Sequence, residues 1–368
     1  MPAKIAIVHD WLTNMGGAEP VVLELHKLFP LAPIYTSVFD YEKMTAFSSM
    51  DVRTTYLQRL PKKLRYKHTL QPTLRPRAFR KLDLSEFDVI ISSSSAEAKA
   101  VRKTRSGQTH IAYIHTPIRY YYSHYDEFKK EFRFGKLTPF IKPFIPLMVS
   151  RMRKLDQASV ADIDVLIANS SITQERIKTY YHRDSVIVHP PVDVKKFLPT
   201  AKTKRHGLVI WGRHVPYKRF DLAIEACNKL GVDLTIAGTG SDTERLKKLA
   251  GSTIKFVGRI SDGELVRLAH DSEAFLFPNE EDFGIAAVEA LAAGLPIIAY
   301  GKGGALDIVS DGETGILFHE QTVDSLAIAI KKFQTTKFNQ INLTNRAKRF
   351  DKSFFDAKIK KIVTDSTK

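Results

Sequence analysis

The feature that most constrains the fold is a series of short, continuously apolar segments distributed along the chain. The segments are rich in residues that favour strands, end at turn residues and are separated by helical patterns. Strands that are apolar throughout, rather than alternating, are typical of parallel sheets with helices on both faces. The segments lie at 4–8, 88–94, 110–116, 164–170, 232–240, 253–258, 274–279 and 295–301, and a further one opens the stretch 207–230.

A length of 368 residues suits two domains, and the two halves of the chain open in the same way. Each begins with an apolar strand that runs into a glycine-bearing loop and a helix, first KIAIVHDWLTNMGGAEPVVLELHKLF and then GLVIWGRHVPYKRFDLAIEACNKL. We therefore predict two doubly wound α/β domains, 1–200 and 201–345, with the boundary in the Pro-, Lys- and Thr-rich segment 190–207. An amphipathic helix is predicted over 346–363. Because ligands bind at the carboxyl ends of strands in open α/β sheets, we expect the site on those loops, in the cleft between the domains.

Two of these loops carry groups that suit a diphosphate. Gly16 and Gly17 precede a helix with Pro20 in its first turn, and glycines at a helix N-terminus let backbone amides approach an anion. Arg213 and Lys218 follow the first strand of the second half, where two cations would neutralise a leaving diphosphate. A plain tight turn explains the glycines equally well, and solvated surface cations are the alternative for the second pair.

The segment PNEEDFGIAAVEALAAGLP places Glu281 and Glu289 eight positions apart. Along a continuous helix that spacing separates them by about 12 Å, whereas the carboxyl pair of a retaining glycosidase lies about 5 Å apart. The spacing therefore favours contacts with two ends of one extended ligand. Gly284 indicates that a helix begins near it, which leaves Glu281 on the loop and turns the amides of residues 283–286 towards a ligand. The alternative is a capping acid followed by a buried glutamate that is neutral or paired.

Two further loops are candidates. His115 follows the strand HIAYI, so its imidazole points towards the same edge and could donate to a sugar hydroxyl or a phosphate, although a lone histidine is usually structural. Gly303 and Gly304 also follow a strand, where either a backbone contact with an anion or hydroxyl or a simple turn would explain them.

Together these motifs resemble those of the GT-B glycosyltransferases, specifically the large retaining family four (glycosyl transferases group 1). The matching motifs are EEDFGIAAVEALAAGLPIIA for the family's E-x7-E segment, GRHVPYKRFDLAIEA for its Arg/Lys phosphate motif and GGAE for its N-terminal loop. They occur in the family's order and span nearly the whole chain. HTPIRYYY, HPPVD and GRHVPYKR look most like a branch with GDP-mannose-dependent mannosyltransferases of polysaccharide and glycolipid assembly. The implied fold is two Rossmann-like domains that face a central cleft.

The resemblance implies a role for each matched side chain. Arg213 and Lys218 would bind the diphosphate of a nucleotide-sugar donor, and Glu289 would hold the ribose hydroxyls. Glu281 would lie beside the transferred sugar, and His115 would contact that sugar near its 6-hydroxyl. His115, Glu281, Arg213 and Lys218 form the predicted catalytic set. The other predicted contacts are Gly16 and Gly17 over the pyrophosphate, Phe283 and Gly284 with the sugar hydroxyls, and Gly258 and Arg259 near the base.

The resemblance also implies a mechanism, and this sequence departs from the family's pattern at a few positions. Retention would proceed by front-face substitution, in which the leaving diphosphate assists the incoming hydroxyl and the protein positions groups and stabilises charge. No cofactor or metal is expected, because the one Asp-x-Asp triplet, at 162–164, precedes a strand instead of following one.

The terminal helix, 346–368, would cross back to brace the first domain. Ser95 and Glu97 stand where this branch has a histidine, which leaves the acceptor open, and Pro20 stands where many relatives have arginine.

The net charge of +16 predicts anionic partners. Residues 52–82 contain ten Lys or Arg and no acid, with Leu, Tyr, Pro and Phe interleaved, and residues 128–154 mix basic and aromatic side chains. Such segments suit docking on an anionic bilayer. We therefore expect a lipid-linked or glycan acceptor and a cytoplasmic protein held at the inner face of the membrane. Solvated loops with a core-forming helix pair are the alternative.

Other classes are less consistent with the sequence. The first apolar run is too short for a signal peptide, no run approaches 18 apolar residues, and the single Cys227 excludes an internal disulfide. A nucleic-acid-binding protein would share the basic charge, but no recognition-helix, RRM or KH signature appears, so no nucleic-acid partner is expected. A UDP-sugar-dependent enzyme of the same fold is the nearest alternative. A catalytically inactive scaffold would not need the intact Arg213, Lys218, Glu281 and Glu289.

Overall fold

The computed structural model describes residues 3–66, 71, 73–123, 125–126, 129, 138, 142–199 and 204–367. The predicted segments 52–82, 128–154 and 190–207 therefore lie partly outside the described residues. The chain divides into two compact units, Met1–His189 with Asp356–Lys368 and Pro190–Phe355. No helix among the described residues is long and apolar enough to cross a membrane.

Within the described residues, the first unit contains a seven-stranded parallel sheet in the order β3-β2-β1-β4-β5-β6-β7. Its strands are β1 (Ile5–His9), β2 (Ile34–Thr36), β3 (Val52–Thr54), β4 (Val89–Ser94), β5 (Thr109–Ile114), β6 (Val165–Ala168) and β7 (Val186–Ile187). The helices of the first half whose bounds lie within the described residues include α1 (Glu19–Leu28), α2 (Lys62–Arg65), α3 (Leu74–Arg80), α4 (Ile145–Val160) and α5 (Ser171–Tyr181).

The second unit repeats this plan with a six-stranded parallel sheet among the described residues, in the order β10-β9-β8-β11-β12-β13. Its strands are β8 (Leu208–Trp211), β9 (Leu234–Ala237), β10 (Ile254–Gly258), β11 (Ala274–Phe277), β12 (Ile297–Tyr300) and β13 (Gly315–Phe318). Its helices are α6 (Val194–Phe197), α7 (Phe220–Leu230), α8 (Thr243–Leu249), α9 (Asp262–Asp271), α10 (Ile285–Ala292), α11 (Ala305–Ile308), α12 (Val323–Thr335) and α13 (Gln340–Lys348). The last helix, α14 (Lys352–Asp365), lies mostly in the first unit.

The predicted doubly wound α/β fold is confirmed. In both sheets the first strand of the unit is the third in spatial order, and the strand order reverses beside it, between β1 and β4 and between β8 and β11. Both of these first strands are buried almost throughout, and apolar clusters cover both faces of the second sheet. Where the strand order reverses, the loops that follow the two neighbouring strands run in opposite directions. This opens a crevice at the carboxyl edge of the sheet.

The terminal helical segment differs from the prediction. The single helix expected over 346–363 is two helices, because α13 ends at Lys348 and α14 begins at Lys352. Oδ1 of Asp351 accepts hydrogen bonds from both the amide and the hydroxyl of Ser353. This local capping competes with a continuous helix. The strands β2, β3 and β7, of two or three residues, were not predicted because such lengths give little periodic signal, and β13 was not predicted either.

Candidate functional site

In the second unit, the strand reversal brings two predicted loops to the same edge of the sheet. β8 pairs directly with β11, so the loop after Trp211 and the loop after Phe277 begin on adjacent strands. Lys218 ends a short 3-10 helix on the first loop, and Glu281 lies on the second. The two side chains form an ion pair across the loops, and both are mostly buried. The structure therefore brings together two residues that sequence reasoning selected separately.

The surroundings of Lys218 keep it charged. Burial lowers the pKa of its ammonium, but Glu281 outweighs that effect, so the pKa of Lys218 is raised overall. Glu281 also accepts a hydrogen bond from the side-chain amide of Asn279 at 3.1 Å. Arg213 is exposed and close enough to act electrostatically on Lys218. The loops thus present two cations, one of them held in place by a carboxylate.

Backbone hydrogen bonds extend beyond the ends of β8, β9 and β10 and fix these loops to one another. Gly212 and His214 donate to the carbonyls of Ala237 and Thr239, at 3.1 Å each, and Gly238 donates to Gly258 at 2.7 Å. A Cβ atom on Gly238 would lie 1.9 Å from the carbonyl oxygen of Gly212, so no other residue fits there. Hydrogen bonds therefore connect the loop after β8, which carries Arg213 and Lys218, to the loop after β9, and connect that loop in turn to the end of β10.

Gly258 and Arg259, predicted near the base, lie at the carboxyl end of β10. Arg259 is exposed. β10 is separated from β8 by one strand, so this position lies further along the same edge from Lys218. An extended ligand along the edge would pass the ends of β10, β8 and β11 in that order.

The loop that carries Glu281 continues into α10 as predicted. Gly284 is the N-cap residue, with a φ of 111° that favours glycine, and α10 begins at Ile285. Phe283 is buried in the core beneath this loop. Gly303 and Gly304 support the same loop rather than standing apart from it, since Gly304 donates to the carbonyl of Glu281 at 2.8 Å. A Cβ atom on either glycine would lie within 2.4 Å of a carbonyl oxygen of this loop, and Gly303 also has a φ of 65° that favours glycine.

Glu289 lies in the second turn of α10, as the spacing predicted, and keeps part of its surface exposed. Burial of the carboxylate raises its pKa to about 7, while a hydrogen bond from Trp211 and the charge of Lys196 act in the opposite direction. Nε1 of Trp211 donates to Oε2 of Glu289 at 3.2 Å. The carboxylate therefore has a protein partner, which sequence reasoning missed together with the contact from Asn279.

The first unit places the predicted glycines on an ordered loop. Oε2 of Glu19, in the first turn of α1, accepts from the amide of Gly16 at 2.7 Å, and its Oε1 lies 3.7 Å from Nε2 of His9. Nδ1 of His9 donates to the carbonyl of Ser93. Burial opposes both charges, but the pair outweighs it, so the pKa of His9 is raised and that of Glu19 is lowered. Gly16 and Gly17 are exposed above this ion pair.

His115 follows β5, as predicted, and is almost fully buried. Its Nε2 is hydrogen-bonded to Oγ of Ser93 at 2.8 Å, and its ring packs against Tyr113. Its carbonyl accepts from Oγ1 of Thr173. These contacts fix the imidazole beside the end of β4 and give it a structural role, and a contact with sugar stays a prediction.

Ser95 and Glu97, the positions that depart from the family branch, lie on a turn organised by a buried aspartate. The carboxylate of Asp10 accepts from the amides of Ser95, Ala96 and Ala98 at 2.6–3.0 Å. Glu97 is buried and pairs with Arg75 at 3.1 Å. Burial raises the pKa of Glu97 to about 7, against the effect of Arg75. Asp10 was not predicted, although its place directly after β1 signalled it.

The basic segments are only partly available to a partner. Arg75 is 1% exposed, and Arg53 pairs with Asp51 and Glu86. Other cations of this segment, such as Arg59 and Lys62, are exposed. Among the described residues no group of three His, Cys, Asp or Glu side chains is arranged to hold a metal ion.

Comparisons with known families decide the assignment. Residues 15–196 match the family described as Glycosyltransferase Family 4, and residues 192–350 match Glycosyl transferases group 1. Each of the two regions of the chain therefore matches a glycosyltransferase family. The two matched regions together run from 15 to 350, and their boundary, at 192–196, lies close to the start of the second structural unit.

Solved glycosyltransferase structures share the fold at low sequence identity. The chain is similar to Anabaena HepE in complex with UDP, with a TM-score of 0.73, 16% identity and 98% and 100% of the two chains covered. It is also similar to sucrose-phosphate synthase from Thermosynechococcus elongatus, with a TM-score of 0.76, 16% identity and 99% and 98% covered. At this identity the likeness establishes a GT-B fold and no substrate.

Curated relatives match this chain over only part of their length. A D-inositol 3-phosphate glycosyltransferase of Mycobacterium marinum is 30% identical over 200 residues, which cover 48% of this chain and 43% of the relative. A glycogen synthase of Mycobacterium tuberculosis is 30% identical over 190 residues, 47% of this chain and 46% of the relative. The chain spans about half the length of the curated relatives it matches.

Proposed function

We propose that this glycosyltransferase-family protein transfers a hexose from a nucleoside-diphosphate sugar to an acceptor hydroxyl with retention of configuration. The observation that carries the proposal is the Lys218–Glu281 pair at the strand reversal of the second unit, with Arg213 on the same loop. The mostly buried Lys218 and the exposed Arg213 would together stabilise charge that develops on a leaving diphosphate. A carboxylate beside them suits the hydroxyls of the sugar being transferred.

The order of strand ends supports a single extended donor. The base would lie near Gly258 and Arg259 at the end of β10, and the diphosphate near Lys218 after β8. The sugar would then lie at the loop after β11, beside Glu281 and the amides of Phe283 and Gly284. Glu289, whose carboxylate is hydrogen-bonded to Trp211 at the end of β8, would accept from the ribose hydroxyls between the base and the diphosphate. Gly16, Gly17 and His115 of the first unit stay predictions as further contacts with the donor.

GDP-mannose is the donor that we propose, on the motifs HTPIRYYY, HPPVD and GRHVPYKR. UDP-sugars are the competing class, and one similar solved structure, Anabaena HepE, contains UDP. A thermal-shift panel of GDP, UDP, ADP and their sugars separates these possibilities, because a ligand that binds only the folded state raises the melting temperature. Stabilisation by GDP and GDP-mannose supports the proposal, and stabilisation by UDP forms alone overturns the choice of donor. A chain stabilised by no nucleotide would contradict donor binding altogether.

For the acceptor we propose a lipid-linked or glycan substrate at an anionic membrane surface. The carrying observation is on α4 and the 3-10 turn before it, Lys142–Phe144. Phe144 and Leu147 are 65% and 71% exposed, and the cations Lys142, Arg151 and Lys154 of the same stretch are exposed too. Residues 142–155 include no acid. Apolar side chains flanked by cations fit the boundary between acyl chains and anionic headgroups. Such a protein would act at the inner face of the membrane, where anionic lipids attract basic surfaces.

A further inference from the structure

The side chain of Trp211 connects the end of β8 to the middle of α10. Trp211 is the last residue of β8, and Nε1 of its indole donates to Oε2 of Glu289 at 3.2 Å. The two residues are 78 positions apart, so the contact depends on the fold of the second unit. Because an indole nitrogen is a donor and never an acceptor, this contact requires an oxygen lone pair of the glutamate.

The indole is held firmly by the core. Trp211 is 7% exposed, belongs to the same apolar cluster as Phe275 and Phe277, and packs against Phe275 with ring centroids 4.3 Å apart. Its backbone is paired with Ala237 in the adjacent strand. The direction of its N–H bond is therefore fixed before any ligand arrives, and one oxygen of Glu289 is fixed with it.

The other carboxylate oxygen is differently placed. Among the described residues, the structure records no hydrogen bond to Oε1 of Glu289, while Oε2 is held by the indole. A carboxylate has about four lone-pair sites, so one indole N–H leaves capacity for a diol. Anchoring one oxygen removes rotation about the terminal bond of the side chain, which a ligand would otherwise have to restrict on binding.

We propose that Trp211 is a positioning residue that orients the Glu289 carboxylate to receive the ribose hydroxyls of the donor. This inference rests on the proposed function. It assigns the specificity of the site for a ribose diol to a pair of residues, one on β8 and one on α10. The residue type matters, because phenylalanine would fill the same place in the core but has no N–H to donate.

The charge state of Glu289 provides an independent readout. The indole N–H favours the ionised carboxylate, in opposition to burial, and the charged groups that act on Glu289 from neighbouring helices are Lys196 on α6 and Asp262 on α9. Those two form an ion pair with each other at 2.5 Å. Removal of the indole N–H should therefore raise the pKa of Glu289 further and move the loss of ligand affinity towards higher pH.

The test compares wild-type protein with Trp211→Phe by calorimetric titration of GDP and UDP, each beside its 2′,3′-dideoxy form. We expect Trp211→Phe to weaken binding of the ribonucleotide about tenfold, or about 1.4 kcal/mol. The dideoxy form should bind the wild type more weakly and should be unaffected by the substitution. The pH below which ribonucleotide affinity falls should also be higher in Trp211→Phe.

Three outcomes separate the possibilities. Equal ribonucleotide affinity in both proteins, or equal losses for the ribo and dideoxy forms, would overturn the inference while leaving the proposed function intact. A wild type that binds neither nucleotide would overturn the proposed function, and the inference with it. If Trp211→Phe does not fold, benzothienyl-alanine at position 211 keeps the shape of the indole, replaces its N–H by sulfur and allows the same comparison.

Discussion

The ammonium of Lys218 and the carboxylate of Glu281 form an ion pair although they lie 63 positions apart on separate loops. The loops meet because β8 and β11 are adjacent at the reversal of strand order. An anion bound near Lys218 would compete with Glu281 for the ammonium and would free the carboxylate for hydroxyl groups. Binding of diphosphate and binding of sugar would therefore be coupled through this pair.

Lys218→Ala should reduce kcat/KM for sugar transfer by at least about 100-fold, because one stabilising donor at a developing anion contributes roughly that much. Glu281→Gln should have a smaller effect on diphosphate binding and a large effect on turnover. The measurement is steady-state kinetics with the donor identified by thermal shift. Lys229→Ala is the matched control, since Lys229 lies on α7 of the same unit and pairs with the exposed Asp324. Near-normal turnover in Lys218→Ala would remove the site assignment.

Glu289→Ala should abolish transfer with the fold retained, and Glu289→Gln should reveal the cost of the buried charge. The pKa of Glu289 is raised to about 7 in the folded protein, so the neutral carboxyl favours the folded state. This contribution to the free energy of unfolding is present at acid pH and is lost as the pH rises through about 7. Urea unfolding should therefore show Glu289→Gln to be more stable than wild type at pH 8, by at most about 3 kcal/mol, and nearly equal at pH 4.5. A difference that does not change with pH would contradict this.

The His9–Glu19 pair should stabilise the first unit only within a limited range of pH. The raised pKa of His9 means that its contribution fades as the pH rises through that value. The lowered pKa of Glu19 means that its contribution fades as the pH falls below the ordinary value of 4.5. Glu19→Gln should therefore destabilise the protein at pH 5.5, on the order of 3 kcal/mol, and much less at pH 9. His26→Gln, on the same helix but outside the pair, should not destabilise the protein at pH 5.5, because burial lowers the pKa of His26 and disfavours its charged form in the folded state.

Leu147→Asp should weaken binding to vesicles that contain anionic lipid several-fold, because it places a negative charge on the exposed stripe of α4. Binding by the wild type should fall as salt is raised, since surface charges are screened. Ile328→Asp is the matched control, because Ile328 is similarly exposed, at 67%, on α12 of the second unit. Co-sedimentation with vesicles measures both. Wild-type binding that is absent or insensitive to salt would end the membrane proposal.

The fold was predictable because buried parallel strands produce a strong local signal. Long apolar runs such as those at 88–94 and 274–279 correspond to β4 and β11 within a few residues. The start of α10 was also predictable from the sequence, because the position before it needs a backbone conformation that favours glycine, and Gly284 marks that position. The break between α13 and α14 was not, because the capping by Asp351 interrupts a pattern that is apolar on both sides.

The site was predictable only in its charged residues. Lys218 and Glu281 stood out as motif positions, but their pairing depends on which strands are neighbours, and a single sequence does not fix strand order. Trp211 looked like an ordinary strand residue, and its hydrogen bond to Glu289 arises from the packing of α10 on the sheet. The burial of Arg75 was hidden in the same way by the basic residues around it.

The return of the last helix to the first unit determines how the protein could be divided for study. Ile359 and Val363 on α14 are buried, and the carbonyl of Ser366 accepts from Thr109 of β5. A fragment that stopped at residue 189 would lack these partners and would expose apolar surface to solvent. Truncation from the carboxyl terminus should therefore damage the amino-terminal half first. Circular permutation that joins residue 356 onwards to the front of the chain is the way to produce that half intact.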